Sequence, residues 1–155
     1  MSRRVTLLTV LLAISTLRNA YAAQIPLRSL VFPIGGIQEV RRIVVLRRDP
    51  LEESIVTITA TLIERSYTDM AVVRIYDDKT FSQLVKVLDS RALGSCQRSN
   101  MPVAWALLFE TEKGRKLGAV YLDEDGRCAE ISGKFYFIER DVSLLLKRTF
   151  GFMNY

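Results

Sequence analysis

The chain contains no histidine, and that absence removes most of the chemistry its other residues could serve. Ser-His-Asp and Cys-His nucleophilic machinery both need the imidazole, and so do the usual zinc sites. The two cysteines, Cys96 and Cys128, lie 32 positions apart. Read as a pair they predict a disulfide, which would stabilise the fold by roughly 3–4 kcal/mol in the chain-entropy picture. The rival readings are a metal pair, which wants four ligands, and a redox pair, which usually shows C-x-x-C. A bonded pair leaves no thiol nucleophile. Carboxylates then remain, as in glycoside cleavage, where two acids share one cleft within about 10 Å. The candidates are Glu52, Glu53, Asp77, Asp78, Asp123, Glu124 and Asp125. Nearly all fall at turns or helix starts, where acids have local reasons to be.

Asp123-Glu124-Asp125-Gly126 carries part of a calcium-loop pattern. Such a loop needs a Glu near its twelfth position, and here that position is Lys134. Asp-Gly between two alternating strands is first a hairpin turn. The expectation is therefore no enzyme, no cofactor and no metal site.

Binding surfaces are the next class. Trp105, Tyr121, Phe135, Tyr136 and Phe137 concentrate in one half of the chain. Trp105 and Phe137 read as core. Tyr121 and Tyr136 read as candidate partner-binding residues, because a tyrosine tolerates one wet end. The polar stretch 94–102, tethered by Cys96, reads as an inserting loop, with Arg98 and Asn100 as its contact residues. Arg41-Arg42 and Arg47-Arg48 bracket a strand and read as charges guarding a solvated edge.

The elements that must position these residues follow from periodicity. Residues 37–46 read as a strand. Residues 55–63 read as the clearest strand, with Val56, Ile58, Ala60 and Leu62 alternating against Thr57, Thr59 and Thr61. Residues 70–76 read as another. Residues 77–91 switch to the helical period through Phe81, Leu84, Val85 and Leu88. A capping box over residues 80–83 and a stop at Gly94 go with that helix. Residues 103–109 are apolar on both faces and read as a central strand. Strands at 117–122, 128–131 and 134–139 follow, joined by short turns and hence antiparallel. Asp141 can cap a last helix over 142–150, ended by Gly151, and Phe152 in the tail reads as packed on the body. The fold class is α+β: a mostly antiparallel sheet of about six to seven strands with two helices packed on one face.

The first 22 residues read as a secretory signal peptide. Arg3 and Arg4 precede an uncharged run over residues 5–17, and Ala20-Tyr21-Ala22 supplies the peptidase site, with cleavage after Ala22 or Ala23. The run is too short for a bilayer, which needs about 20 apolar residues, so no stable membrane insertion is expected after cleavage. Residues 23–36 read as an irregular N-terminal arm that Leu27, Leu30, Val31 and Phe32 could pack, and residues 37–155 as a single domain. Cleavage removes Arg3, Arg4 and Arg18, so the net charge falls from +5 to 5 − 3 = +2. That near balance gives no electrostatic case for nucleic acid.

A small periplasmic or secreted, disulfide-bonded, non-enzymatic binding domain is the reading these features favour. Its expected partner is another envelope or secreted protein, met in the manner of an inhibitor or immunity factor. The alternatives are a structural or assembly accessory of the envelope and, third, a carboxylate-dependent hydrolase.

Overall fold

The computed structural model describes residues 24–34, 36–48, 57–96, 101–139 and 142–151. Its organising element is one eight-stranded antiparallel sheet. In chain order the strands are β1 (Ile25–Pro26), β2 (Arg42–Arg47), β3 (Asp69–Arg74), β4 (Arg91–Ser95), β5 (Trp105–Glu110), β6 (Lys116–Leu122), β7 (Cys128–Ile131) and β8 (Lys134–Ile138). Across the sheet they run β1-β4-β8-β7-β6-β5-β2-β3. The helices are α1 (Leu27–Val31), α2 (Ala60–Ile63), α3 (Asp78–Val85) and α4 (Val142–Phe150). The fold is α+β, as the sequence implies.

The continuous apolar run in β5 explains its place. All six of its residues are buried, which requires cover on both faces. On one face Ile43 and Val45 of β2, Trp105, Leu107 and Phe109 of β5, and Val120 and Leu122 of β6 meet Leu27, Leu84, Leu88 and Leu146 from the helices. Phe109 receives Phe32 edge-on, at 5.6 Å between ring centroids. On the other face Val44 and Leu46, Ala106 and Leu108, and Tyr121 form a second cluster with Ile58, Ile63, Met101 and the two cysteines.

Several expectations change here. The two expected helices, α3 and α4, do pack on one face, joined there by α1, but α2 with residues 57–59 adds helical cover on the other. The strand expected over 55–63 is absent from its described part. Thr59 Oγ1 accepts the Leu62 amide, its carbonyl accepts those of Leu62 and Ile63, and the chain turns into α2. A threonine that can cap a helix start offers the backbone a local alternative to a strand ladder. Residues 51–56 lie outside the described residues.

In the stretch expected as strand 37–46, Ile37–Glu39 is a 3-10 turn, and β2 begins only at Arg42. The arm is not irregular throughout. Leu27 is fully buried and its amide bonds Ser90 O, while β1 pairs with β4. α1 reaches β6 at Gly118, where a Cβ would stand 2.5 Å from Val31 Cγ1. The helix α3 starts after Asp77, so the expected capping box lies inside it, and Gly94 sits in β4 rather than closing the helix. A 3-10 turn, Lys86–Asp89, ends that helix instead. α4 spans the residues the sequence predicts, and Gly151 closes it with a positive φ and a bond to Lys147 O. Asp141 and Phe152 lie outside the described residues. Among the described residues no helix is long and apolar enough to cross a membrane.

Candidate functional site

The sheet ends on two unequal edges. β1, two residues long, closes one. β3, six residues long, forms the other and, among the described residues, pairs only with β2. Its register with β2 runs from Arg42 opposite Arg74 to Arg47 opposite Asp69. Just beyond, the Ile75 amide bonds Arg41 O at 2.8 Å. An antiparallel ladder alternates bonded and non-bonded pairs, so residues 69, 71 and 73 spend their backbone groups on β2. Those of Met70, Val72 and Arg74 point away from it. Arg74 is already closed by Asp77: its amide donates to Asp77 Oδ2 at 3.2 Å and its carbonyl accepts the Asp77 amide at 2.9 Å. The open part of the edge is therefore the N–H and C=O pairs of Met70 and Val72.

The side chains there are exposed as well. Met70 keeps 52% of its surface and Val72 43%, and Tyr67 and Tyr76 flank them. Four of the nine large apolar side chains exposed among the described residues thus fall within residues 67–76. Apolar strand edges of this kind are what soluble proteins usually blunt, because they template pairing with another chain. The expected guards are elsewhere. β2 is an interior strand, so its arginines tie strands together. Arg42 Nε bonds Glu110 at 2.6 Å, Arg47 bonds Asp69 at 3.4 Å and lies over the Trp105 ring, and Arg48 reaches Ser66 O at 2.7 Å.

A polar cluster sits under the lid formed by residues 57–66. Glu64, at the end of α2, accepts two bonds from Lys116 Nζ, at 2.7 and 3.0 Å, and one from the Tyr121 hydroxyl. Glu130 faces Tyr121 across the strands β6 and β7. Burial alone would raise the Glu64 carboxyl, but the bonds from Lys116 and Tyr121 and the lysine charge hold it below its ordinary 4.5. Burial, then the bond to Glu64 and the two carboxylate charges, push the Tyr121 phenol far above its ordinary value, so it stays protonated. Burial raises the Glu130 carboxyl above 4.5. This cluster fastens the lid to the sheet. No signal marked Glu64, Lys116 or Glu130 in the sequence, because they lie on three separated elements.

Cys96 and Cys128 form a disulfide with Cα atoms 6.2 Å apart. It ties the residue after β4 to the first residue of β7. Arg98 and Asn100 lie outside the described residues. The buried Cys96 and Met101 border their segment. Tyr121 is not a surface residue: 9% of it is exposed and its hydroxyl is spent on Glu64. Tyr136 is half-buried against the helical core, since alternation along β8 turns it to that face. Phe137, expected in the core, is 48% exposed, because its register opposite Cys128 puts it on the disulfide face beyond the lid. Trp105 is buried as expected.

Asp123 Oδ1 accepts the amides of Arg127 and Cys128, and Gly126 takes a positive φ, which makes the Asp-Gly run a hairpin turn. Asp77 serves Arg74, and Glu52 and Glu53 lie outside the described residues. Comparison with protein-family models, with curated proteins and with solved structures returns no match.

Proposed function

We propose that this chain is an exported, non-enzymatic protein-binding domain that docks a partner by adding one of the partner's strands to β3. The observation that carries the reading is the pair of outward-facing residues Met70 and Val72, unbonded among the described residues, on an exposed apolar edge. Strand addition draws affinity from main-chain hydrogen bonds and specificity from alternate side chains. A preformed edge loses little ordering entropy on binding, and β3 is held against an interior strand across six register pairs. An inhibitor or immunity factor works in this way, sterically, by seating a partner segment against a rigid sheet. Export is supported by the disulfide, since such bonds persist in oxidising compartments, and by the leader-like first 22 residues.

The test places a photo-crosslinking amino acid at position 72, or at the fully exposed Ile34 as control, in the organism that makes the protein. A discrete adduct at 72, absent at 34 and competed by the unlabelled protein, supports the edge. The same partner, once purified, must form a one-to-one complex that Val72→Lys weakens. Equal adducts at both positions overturn the reading. The mass of the exported protein tests the leader: loss of residues 1–22 or 1–23 is expected, and an intact Met1 refutes it.

A further inference from the structure

The chemistry of the partner strand follows from a row of charges that crosses the sheet toward this edge, an inference that rests on the reading of β3 as the docking edge. Register places Arg74 opposite Arg42, Arg42 opposite Glu110, and Glu110 opposite Lys116. Three cations and one acid therefore stand in line on the face that carries Met70 and Val72. Glu110 is buried and bonds Arg42, and Lys116 is held by Glu64. Arg74, at the open end, is left opposite a like charge with no acidic partner among the described residues. Like charges directly opposite one another destabilise a pair of strands, and opposite charges stabilise it. The other acids near the edge are committed: Asp69 to Arg47 on the opposite face, Asp77 to the backbone of Arg74. Arg65, just before β3, is exposed and adds a further positive charge.

We infer that the occupant is an extended segment of a partner protein that reads acidic–x–apolar–x–apolar and adds antiparallel to β3. Its two apolar side chains stand beside Val72 and Met70. Its acid stands beside Arg74 and completes the row as acid, Arg74, Arg42, Glu110, Lys116. The backbone bonds go to Val72 and Met70 alone, because Asp77 has closed Arg74. Recognition is therefore split: two residue pairs of ladder supply attachment, and the third position supplies charge.

Fluorescent pentapeptides test this on the intact protein by anisotropy, at concentrations up to 1 mM. The probes are Glu-Thr-Val-Thr-Val, its Lys-first counterpart, and the acidic peptide N-methylated at the residue opposite Val72. The acidic peptide should bind roughly 2- to 30-fold tighter than the Lys peptide, the range that opposite against like cross-strand charges spans. N-methylation should abolish binding, and Arg74→Glu should reverse the order of the two charged peptides. Equal binding of both charged peptides, with N-methylation still disruptive, removes the acidic position and leaves the docking edge standing. No binding by any peptide, together with a partner complex that Val72→Lys leaves as tight as before, removes the edge itself. Sedimentation velocity supplies the last arm: a dimer lost in Val72→Lys makes the occupant a second copy and overturns the inference.

Discussion

Tyr121→Phe should destabilise the protein at neutral pH and cost much less at acid pH. The substitution keeps the ring that fills the second core and deletes only the hydroxyl that bonds Glu64. A hydrogen bond to a charged group is worth about 1.5–3 kcal/mol. Glu64 keeps 27% of its side chain exposed and retains Lys116, so solvent screening lowers the expected loss to about 1–2 kcal/mol. For a domain of this size that is a drop in Tm of about 3–8 °C.

The sign with pH follows from the lowered carboxyl. A group whose folded pKa is depressed contributes stability above its unfolded value, here 4.5, and loses it as pH falls through the folded value. Glu64→Gln should therefore cost stability at pH 7 and progressively less as pH falls below 4.5. Urea denaturation of the wild type, both single variants and the double variant at pH 7 and pH 3.5 reads the coupling as a cycle. A coupling near zero at pH 7, or one of equal size at both pH values, would refute the idea that this network fastens the lid.

Three further outcomes are expected. Glu130→Gln should raise the denaturation midpoint at pH 7 and leave it unchanged below pH 4.5, since burial raises this carboxyl and the charged form is the disfavoured one; a loss of stability at pH 7 contradicts the assignment. Replacing Cys96 and Cys128 together with Ser should cost roughly 3–4 kcal/mol in urea denaturation, and an unchanged midpoint would show that the bridge constrains nothing the sheet does not. Gly126→Ala should destabilise strongly by thermal melting, because its Cβ would meet Ser143 N at 2.3 Å at a position with φ of +65°, whereas Gly133→Ala, with open space around it, should pay only for its positive φ.

Strands β5 to β8 and the helix α4 were legible because their signals are local. Two-residue alternation, a double-faced apolar run and Asp-Gly or Ser-Gly turns each act over a few residues. The stretch 55–63 misled for the same reason. Its threonine alternation suits a strand, yet a ladder needs a partner, and Thr59 found a helix cap first. Tyr121 and Phe137 exchanged their expected places because exposure on a sheet depends on what lies over each face. Residues 57–66 cover Tyr121 and stop short of Phe137.

By itself the sequence determined the fold class, the cysteine pairing, the absence of imidazole chemistry and the leader-like start. Each of these is a matter of residue type or short spacing, which a linear chain already contains. The tertiary structure alone decided which strand stands at the edge, which face the lid covers and which charges line up. Strand order is set by long-range pairing, so Arg74, Arg42, Glu110 and Lys116 become neighbours only when four strands come together.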